Sequence, residues 1–153
     1  MTLTCHCGGV RIEVLRRPDF LHECNCTLCS KAGARWGYFR PEEISVDGRT
    51  TGYSRTDKAV PGVSVHFCPT CGSTTHFRLM PAMIARHGDV QAGVNMRLAD
   101  DADLAGVELR FPDGRAWTGA GTFGYVRPPV RIAGRDSKPS AVADIGDGTC
   151  NDA

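Results

Sequence analysis

Seven of the eight cysteines in this chain lie in three short clusters, and their spacing is the feature most able to support chemistry. The clusters are Cys5 and Cys7, then Cys24, Cys26 and Cys29, then Cys68 and Cys71. Thiolates spaced as C-x-C or C-x-x-C are typical ligands of Zn²⁺, which prefers four ligands in a tetrahedron. The clusters therefore predict zinc binding, and their sizes indicate two sites of different character.

The first and third clusters together supply four thiolates, enough to close one tetrahedral structural site. Cys5, Cys7, Cys68 and Cys71 are therefore the predicted structural ligands. Because the two pairs are about sixty residues apart, a shared ion would join the amino-terminal edge of the domain to the middle of the chain. Closing that loop costs a few kcal/mol of entropy, whereas structural zinc contributes about 10–16 kcal/mol in small peptides. The free energy of zinc binding therefore exceeds the entropic cost of closing the loop.

The middle cluster supplies only three thiolates, so one coordination position of a bound Zn²⁺ would stay open for water or a substrate. An open position separates catalytic from structural zinc sites, and we expect this second ion to be the more labile one. Zinc there would lower the pKa of a bound thiol and polarise a carbonyl group. Cys24, Cys26 and Cys29 are therefore predicted to form a catalytic site for a thiol and a small aldehyde.

Two other interpretations of the middle cluster stay open at this level. A histidine could supply the fourth ligand and turn the cluster into a second structural site. His22 and His66 each lie two residues before a cysteine cluster. Alternatively, Cys26 and Cys29 could form a metal-free C-x-x-C redox pair.

The overall composition excludes several classes of function. The 18 basic and 17 acidic residues give a formal net charge of +1, which is too small to recruit nucleic acid or an anionic membrane. The amino-terminal segment has no apolar run of the ~7–15 residues that a signal peptide needs, and no run of ~18 predicts a membrane span. We therefore expect a cytoplasmic protein whose thiols stay reduced, rather than a secreted disulfide framework.

The elements that position the clusters are predicted to be short strands, because apolar residues alternate with polar ones along several segments. Alternation marks residues 10–14, 44–46, 63–67 and 107–111. Residues 35–39 are rich in aromatic side chains, and residues 74–79, which follow the third cysteine cluster, are a further strand candidate. Short helical turns are predicted at residues 81–86 and 100–104. The predicted fold class is mainly β, a single zinc-centred domain of short antiparallel strands with few short helical turns.

The zinc-binding domain is predicted to span residues 1–126. From Arg127 onward the chain is rich in Pro, Gly and Asp and has few large apolar residues. Residues 127–153 are therefore predicted to form an irregular, flexible tail. Cys150 stands alone in this tail and is not expected to be a ligand.

The complete cysteine pattern resembles that of a known family. The motifs are Cys5-His-Cys7-Gly-Gly, Cys24-x-Cys26-x-x-Cys29 and Phe67-Cys68-Pro-Thr-Cys71-Gly-Ser, with further similarity at residues 93–97 and 111–117. This order is similar to that of the glutathione-dependent formaldehyde-activating enzyme family, which also includes centromere protein V. The resemblance covers about residues 3–118.

The resemblance implies a zinc-centred, mainly β fold in which the outer clusters are structural and the middle cluster holds a catalytic-type zinc. The implied activity is addition of the glutathione thiol to formaldehyde, which gives S-hydroxymethylglutathione and is formally a carbon–sulfur lyase reaction in reverse. The implied partner is a small thiol such as glutathione. Arg35, Arg40 and Arg97 are candidate contacts for its carboxylates.

Two functions of other classes remain as alternatives. The first is a zinc-stabilised binding module without turnover, in the manner of centromere protein V. A chromatin binder should carry a basic arm or stripe, and this sequence has none. The second is a thiol-based metal or redox sensor, which predicts that the three-cysteine site loses zinc on mild oxidation while the four-cysteine site survives.

Overall fold

The computed structural model describes residues 1–119 and 121–134. The strands are β1 (Thr2–Thr4), β2 (Arg11–Val14), β3 (Phe20–His22), β4 (Trp36–Phe39), β5 (Ile44–Asp47), β6 (Thr51–Ser54), β7 (Val63–Phe67), β8 (Thr74–Leu79), β9 (Ala92–Asn95), β10 (Glu108–Arg110) and β11 (Val130–Arg131). The helices are α1 (Thr27–Lys31) and α2 (Pro81–His87), and 3₁₀ turns span Pro41–Glu43 and Met96–Leu98. The expected mainly β fold is confirmed. No helix in this part of the chain is long and apolar enough to cross a membrane.

The strands form two sheets. The small sheet has the order β1-β2-β5, and the large sheet has the order β11-β10-β3-β4-β9-β8-β7-β6. Most neighbours pair antiparallel, as expected, but β10 lies parallel to β3 with Leu109 opposite Leu21. A parallel pair needs a long crossover connection, and the chain between β3 and β10 supplies one because it builds most of the large sheet.

The main core lies between the two sheets. Ile12 and Val14 of the small sheet pack with Leu21, Phe39 and Val94 of the large sheet. Each of these side chains is at most 2% exposed. Burying one such side chain fully contributes about 1.5–3 kcal/mol, so this face of the large sheet is fixed by its contact with the small sheet.

The opposite face of the large sheet carries aromatic and polar side chains beside α1. Trp36 and Tyr38 share this face because they lie two residues apart on β4. The register places Trp36 opposite His22 on β3 and Tyr38 opposite Gly93 on β9. Phe77 of β8 packs edge-on against both rings, at centroid distances of 5.1 Å from Trp36 and 6.1 Å from Tyr38. The middle cysteine cluster packs against this face, because Cys29 contacts the group that contains Trp36 and Phe77.

Strand pairing continues beyond the expected domain boundary at residue 126. Val130–Arg131 pairs antiparallel with β10, and Ile132 is 9% exposed within the main core. The flexible tail itself stays a prediction, because residues 135–153, including Cys150, lie outside the described residues.

Candidate metal centres

The first and third cysteine clusters meet in space. All four Sγ atoms of Cys5, Cys7, Cys68 and Cys71 lie within 4.8 Å of one another. The Cys5–Cys7 and Cys7–Cys68 sulfur distances are 3.6 and 3.7 Å. Four sulfurs at about 2.3 Å from a tetrahedral Zn²⁺ would lie about 3.8 Å apart. The four thiols therefore fit one metal ion in both number and spacing.

Two similar backbone turns present these thiols. The Gly8 N–H donates to the Cys5 carbonyl and the Gly72 N–H donates to the Cys68 carbonyl, each at 2.9 Å. Both glycines have φ of 74°, a region that L side chains rarely adopt. Ser73 joins the turns, because the His6 N–H donates to its hydroxyl at 3.3 Å. Glycine at these two positions therefore allows the tight backbone curvature beside the cysteines.

Two thiols of the four-cysteine cluster, Cys68 and Cys71, have lowered pKa values, whereas for Cys7 the Gly9 N–H, which lowers the pKa, is outweighed by hydrogen bonds with the other thiols, which raise it to about 11. The Ser73 hydroxyl lies 3.3 Å from the Cys71 Sγ, and its hydrogen bond lowers the pKa of that thiol to about 5. The Val10 N–H donates to the Cys5 Sγ at 3.2 Å. Hydrogen bonds to a thiolate stabilise its charge, and a charged sulfur binds a cation more strongly than a neutral thiol does.

The middle cluster lies between β3 and α1. The Sγ atoms of Cys24, Cys26 and Cys29 lie within 4.8 Å of one another. Cys26 is the N-cap of α1, and its Sγ accepts from the Cys29 N–H at 3.4 Å. The Cys24 Sγ accepts in turn from the Cys26 N–H at 3.4 Å. Hydrogen bonds from the Cys24 and Cys29 thiols lower the pKa of Cys26 to about 2, which favours a thiolate there.

A distant turn holds the middle cluster from one side. The Asn25 amide donates to the Asp113 carboxylate at 2.8 Å, and its oxygen accepts from the Arg115 N–H at 3.0 Å. Gly114 lies so close that a Cβ there would be 2.4 Å from the Cys24 Sγ. The turn at residues 112–115 therefore positions the loop that carries two of the three thiols.

The aromatic face of the large sheet holds the cluster from the other side. The Trp36 indole N–H donates to the Cys29 Sγ at 3.2 Å. Trp36 is 3% exposed, so the donor side of this bond is buried. Gly93 leaves room for the Phe77 ring, because a Cβ at that position would lie 2.0 Å from a ring carbon. An apolar wall around thiolates strengthens their attraction to a cation.

The comparisons with known proteins agree with this arrangement. The family model for the glutathione-dependent formaldehyde-activating enzyme matches residues 1–105, which contain all seven clustered cysteines. The chain belongs to this family. It is also similar to a crystal structure of a Rhodobacter sphaeroides protein, a structural genomics target. That similarity has 30% sequence identity and a TM-score of 0.54, and it covers 70% of this chain and 97% of the other. No curated protein matches.

Membership of the formaldehyde-activating enzyme family and the geometry agree on how the cysteines divide. The structure brings the seven predicted residues together as one set of four and one set of three. Two metal ions can therefore be held. That the ion is zinc and that the middle cluster is catalytic remain predictions.

Neither candidate histidine joins the three-cysteine group within the described residues. His22 contacts the Tyr38 hydroxyl through Nδ1 at 3.1 Å, and its buried Nε2 has no hydrogen-bond partner there. Burial, with Arg110 nearby, lowers the pKa of His22 to about 4, so the ring is neutral. His66 instead contacts the Thr50 hydroxyl at 3.2 Å. The fourth coordination position therefore has no protein donor among the described residues.

Two of the three candidate arginines are occupied by acidic neighbours. The Arg35 guanidinium lies 3.5 Å from Glu23 and 3.4 Å from Asp101. Arg97 lies 2.7 Å from the same Glu23 carboxylate. Arg40 lies beyond the end of β4, at the start of the 3₁₀ turn that follows. The structure thus places none of them as an uncompensated cation beside the middle cluster.

Sequence reasoning missed the residues that support the cluster. Asn25 lies between two predicted ligands, but that position gave no sign of its contacts with Asp113 and Arg115. The 111–117 segment was noted only for its family similarity, and the family model ends before it at residue 105. The bond from Trp36 to Cys29 had no sequence signal beyond an aromatic-rich strand.

A buried histidine pair predicts a pH-dependent stability. His76 is 4% exposed and stacks on His66 at 4.5 Å, and burial lowers the pKa of His76 to about 3. Below about pH 6.5 the unfolded chain binds a proton that folded His76 does not, so stability falls as pH drops from 6.5 towards 3. At about 1.4 kcal/mol per pH unit, this histidine should cost about 2 kcal/mol between pH 7.5 and 5.

Urea unfolding of the zinc-loaded protein at the two pH values checks this expectation. His76→Gln should lose about 2 kcal/mol less than wild type over that interval, because its side chain takes up no proton. His87→Gln removes an exposed histidine and should keep the wild-type difference. Equal pH dependence in wild type and His76→Gln would contradict the expectation.

Proposed function

We propose that this protein is a zinc-dependent enzyme of the carbon–sulfur lyase type that combines formaldehyde with glutathione or a related small thiol. The observation that carries the proposal is the three-cysteine cluster, which has no fourth protein ligand among the described residues. Family membership supports glutathione and formaldehyde as the reactants. The product would be S-hydroxymethylglutathione.

The donor set suits a zinc ion. Cys24, Cys26 and Cys29 would hold it, since three soft thiolates at this spacing match the preference of Zn²⁺. When bound, zinc would supply Lewis acidity and a lowered pKa for a thiol beside it. The cluster differs from the four-cysteine site in that respect, because a closed site leaves no room for a reactant.

The proposed reaction is an addition without any change of oxidation state. The thiol sulfur forms a bond to the aldehyde carbon while the carbonyl π bond opens. The thiol proton passes to the former carbonyl oxygen, so the product keeps every atom of both reactants. The protein must therefore position two reactants and move one proton, and it needs no electron donor or acceptor.

The residues around the cluster position its thiols, exclude water from one side and can donate or accept a proton. Trp36 holds Cys29 through its indole N–H, and Phe77 closes the floor beside it. The His22–Tyr38 pair supplies a proton donor and an acceptor on the same sheet face. Burial raises the pKa of Tyr38, so its hydroxyl keeps its proton and can donate a hydrogen bond to an oxygen atom.

Exchange NMR tests the proposal directly. The exchange rate between formaldehyde with glutathione and their adduct is measured with and without zinc-loaded protein. We expect wild type to accelerate the exchange well above the spontaneous reaction. A variant with all three middle cysteines changed to serine should show only the spontaneous rate, while circular dichroism and one retained zinc ion show that it is folded. Wild-type protein that leaves the spontaneous rate unchanged would refute the assignment.

A further inference from the structure

A small pocket lies between residues 113–118 and residues 122–124, outside both cysteine clusters. Pro112 and Tyr125 form an antiparallel bridge at its base, and the Asp113 N–H donates to the Gly124 carbonyl at 2.7 Å. These contacts hold the two segments together. The lining residues are Asp113, Ala116, Trp117, Thr118, Thr122 and Gly124.

The Trp117 ring forms one wall of the pocket. It packs against Phe123 at a centroid distance of 4.5 Å, and its indole N–H donates to the Gly121 carbonyl at 3.2 Å. Trp117 is nevertheless 40% exposed, so part of a ring that is held by its neighbours stays accessible. The face of such a ring attracts an ammonium group that lies within about 6 Å of its centroid.

The charge of the pocket is negative, because Asp113 is the one charged residue among the described residues that line it. The Asn25 amide and the Ala116 N–H both donate to the Asp113 Oδ1, at 2.8 and 3.3 Å. The second carboxylate oxygen, Oδ2, accepts no hydrogen bond from the part of the chain that the structure describes. Arg115 does not line the pocket, and its Nε donates to the Asn25 carbonyl instead. One oxygen of a carboxylate is thus available beside an aromatic ring.

The size and the donor set of the pocket restrict its ligand. The volume is about 210 Å³, below the ~300–1,000 Å³ typical of sites for drug-sized molecules, so the pocket suits a smaller one. A single carboxylate disfavours an anionic ligand, which excludes glutathione with its two carboxylates. It also supplies too few oxygen ligands for a bare Ca²⁺ or Mg²⁺ ion.

We propose that this pocket binds a small organic cation of the quaternary ammonium class. The Asp113 carboxylate would attract the positive charge, and the Trp117 ring would pack against the methyl groups. A quaternary ammonium group has no N–H, so it leaves no donor unpaired in a pocket with one free carboxylate oxygen. The hydroxyls of Thr118 and Thr122 can bond a polar group on the rest of the ligand.

Choline and its uncharged isostere, in which a carbon atom replaces the nitrogen, test the pocket because they share one shape and differ in one charge. Isothermal titration calorimetry is performed on the full-length, zinc-loaded protein. We expect choline to bind and the isostere to bind about tenfold more weakly, because it has no charge for the ring and the carboxylate to attract. Trp117→Leu removes the ring and should raise the dissociation constant of choline about tenfold.

Asp113→Asn removes the charge alone, since its amide oxygen can still accept from Asn25 and Ala116. It should raise the dissociation constant of choline about fivefold and keep the wild-type zinc content. Asp103→Asn is the matched control, because it removes an exposed carboxylate outside the pocket lining and should keep the affinity within about twofold of wild type. Absence of choline binding, equal binding of choline and its isostere, or wild-type affinity in Asp113→Asn would each overturn the assignment.

Discussion

Replacing Cys68 with serine is expected to remove the four-cysteine metal ion and to abolish the cooperative unfolding of the domain. Cys68 is 2% exposed, and its Sγ lies 3.7 Å from the Cys7 Sγ across a gap of 61 residues in the chain. The cluster thus joins the small sheet to the end of β7. Structural zinc contributes about 10–16 kcal/mol in small peptides, whereas whole domains have a net stability of about 5–15 kcal/mol. Losing the ion should therefore cost most of the stability.

Two measurements on the purified variant check this expectation. Elemental analysis should give one zinc ion fewer per chain than wild type, and the thermal transition seen by circular dichroism should broaden or disappear. Cys150→Ser is the matched control, since it removes a thiol that belongs to none of the three cysteine clusters. A Cys68→Ser protein with the full zinc content and the wild-type melting temperature would show that the cluster holds no ion.

The grouping of the seven cysteines into a set of three and a set of four could be predicted from the sequence. For the set of three, the reason is short-range spacing. Cys24, Cys26 and Cys29 lie close together in any tight backbone conformation, so the sequence already limits their geometry. The four-cysteine set was predictable for a different reason, namely that two C-x-C or C-x-x-C pairs together satisfy the coordination number of zinc. Neither argument required knowledge of the fold.

Strand prediction worked for β2, where one face of the strand is buried, and missed β9, where both faces are buried. Residues 10–14 alternate because β2 packs its apolar side on the main core. All four residues of β9 (Ala92–Asn95) are buried, so this central strand shows no alternation to detect. The helix α1 was missed too, because five residues are too few for a helical period and its N-cap is a cysteine.

The supporting contacts of the middle cluster were beyond prediction because they are long-range. Asn25 and Arg115 are 90 residues apart in the chain and meet only through the parallel pairing of β3 and β10. The same holds for the charges around the site. Arg35 and Arg97 were plausible carboxylate contacts from the sequence, but Glu23 forms an ion pair with each of them.

Replacing Gly114 with alanine is expected to empty the three-cysteine site while the fold survives. The added Cβ would lie 2.4 Å from the Cys24 Sγ and 3.0 Å from the Cys26 Cβ. Neither neighbour can yield easily, because the Cys24 Sγ accepts the Cys26 N–H and Cys26 caps α1. Displacing Cys24 would leave two thiolates, too few to retain zinc firmly. Zinc content should fall from two ions to one, and acceleration of the formaldehyde–glutathione exchange should be lost.

Gly124→Ala provides the matched control for this substitution. Gly124 follows in the same segment, and a Cβ there would meet nothing within 4 Å. It should keep both ions, the wild-type melting temperature and the wild-type exchange rate. Gly114→Ala should keep a cooperative thermal transition, since the four-cysteine site and the main core lie elsewhere. If Gly114→Ala retained two zinc ions and full acceleration, the cluster would be free to shift, and the 112–115 turn would not be what positions it. If the folded Gly114→Ala protein loses one ion and the acceleration together, the reaction depends on the three thiolates. The absence of a Cβ at Gly114 is then what leaves room for them.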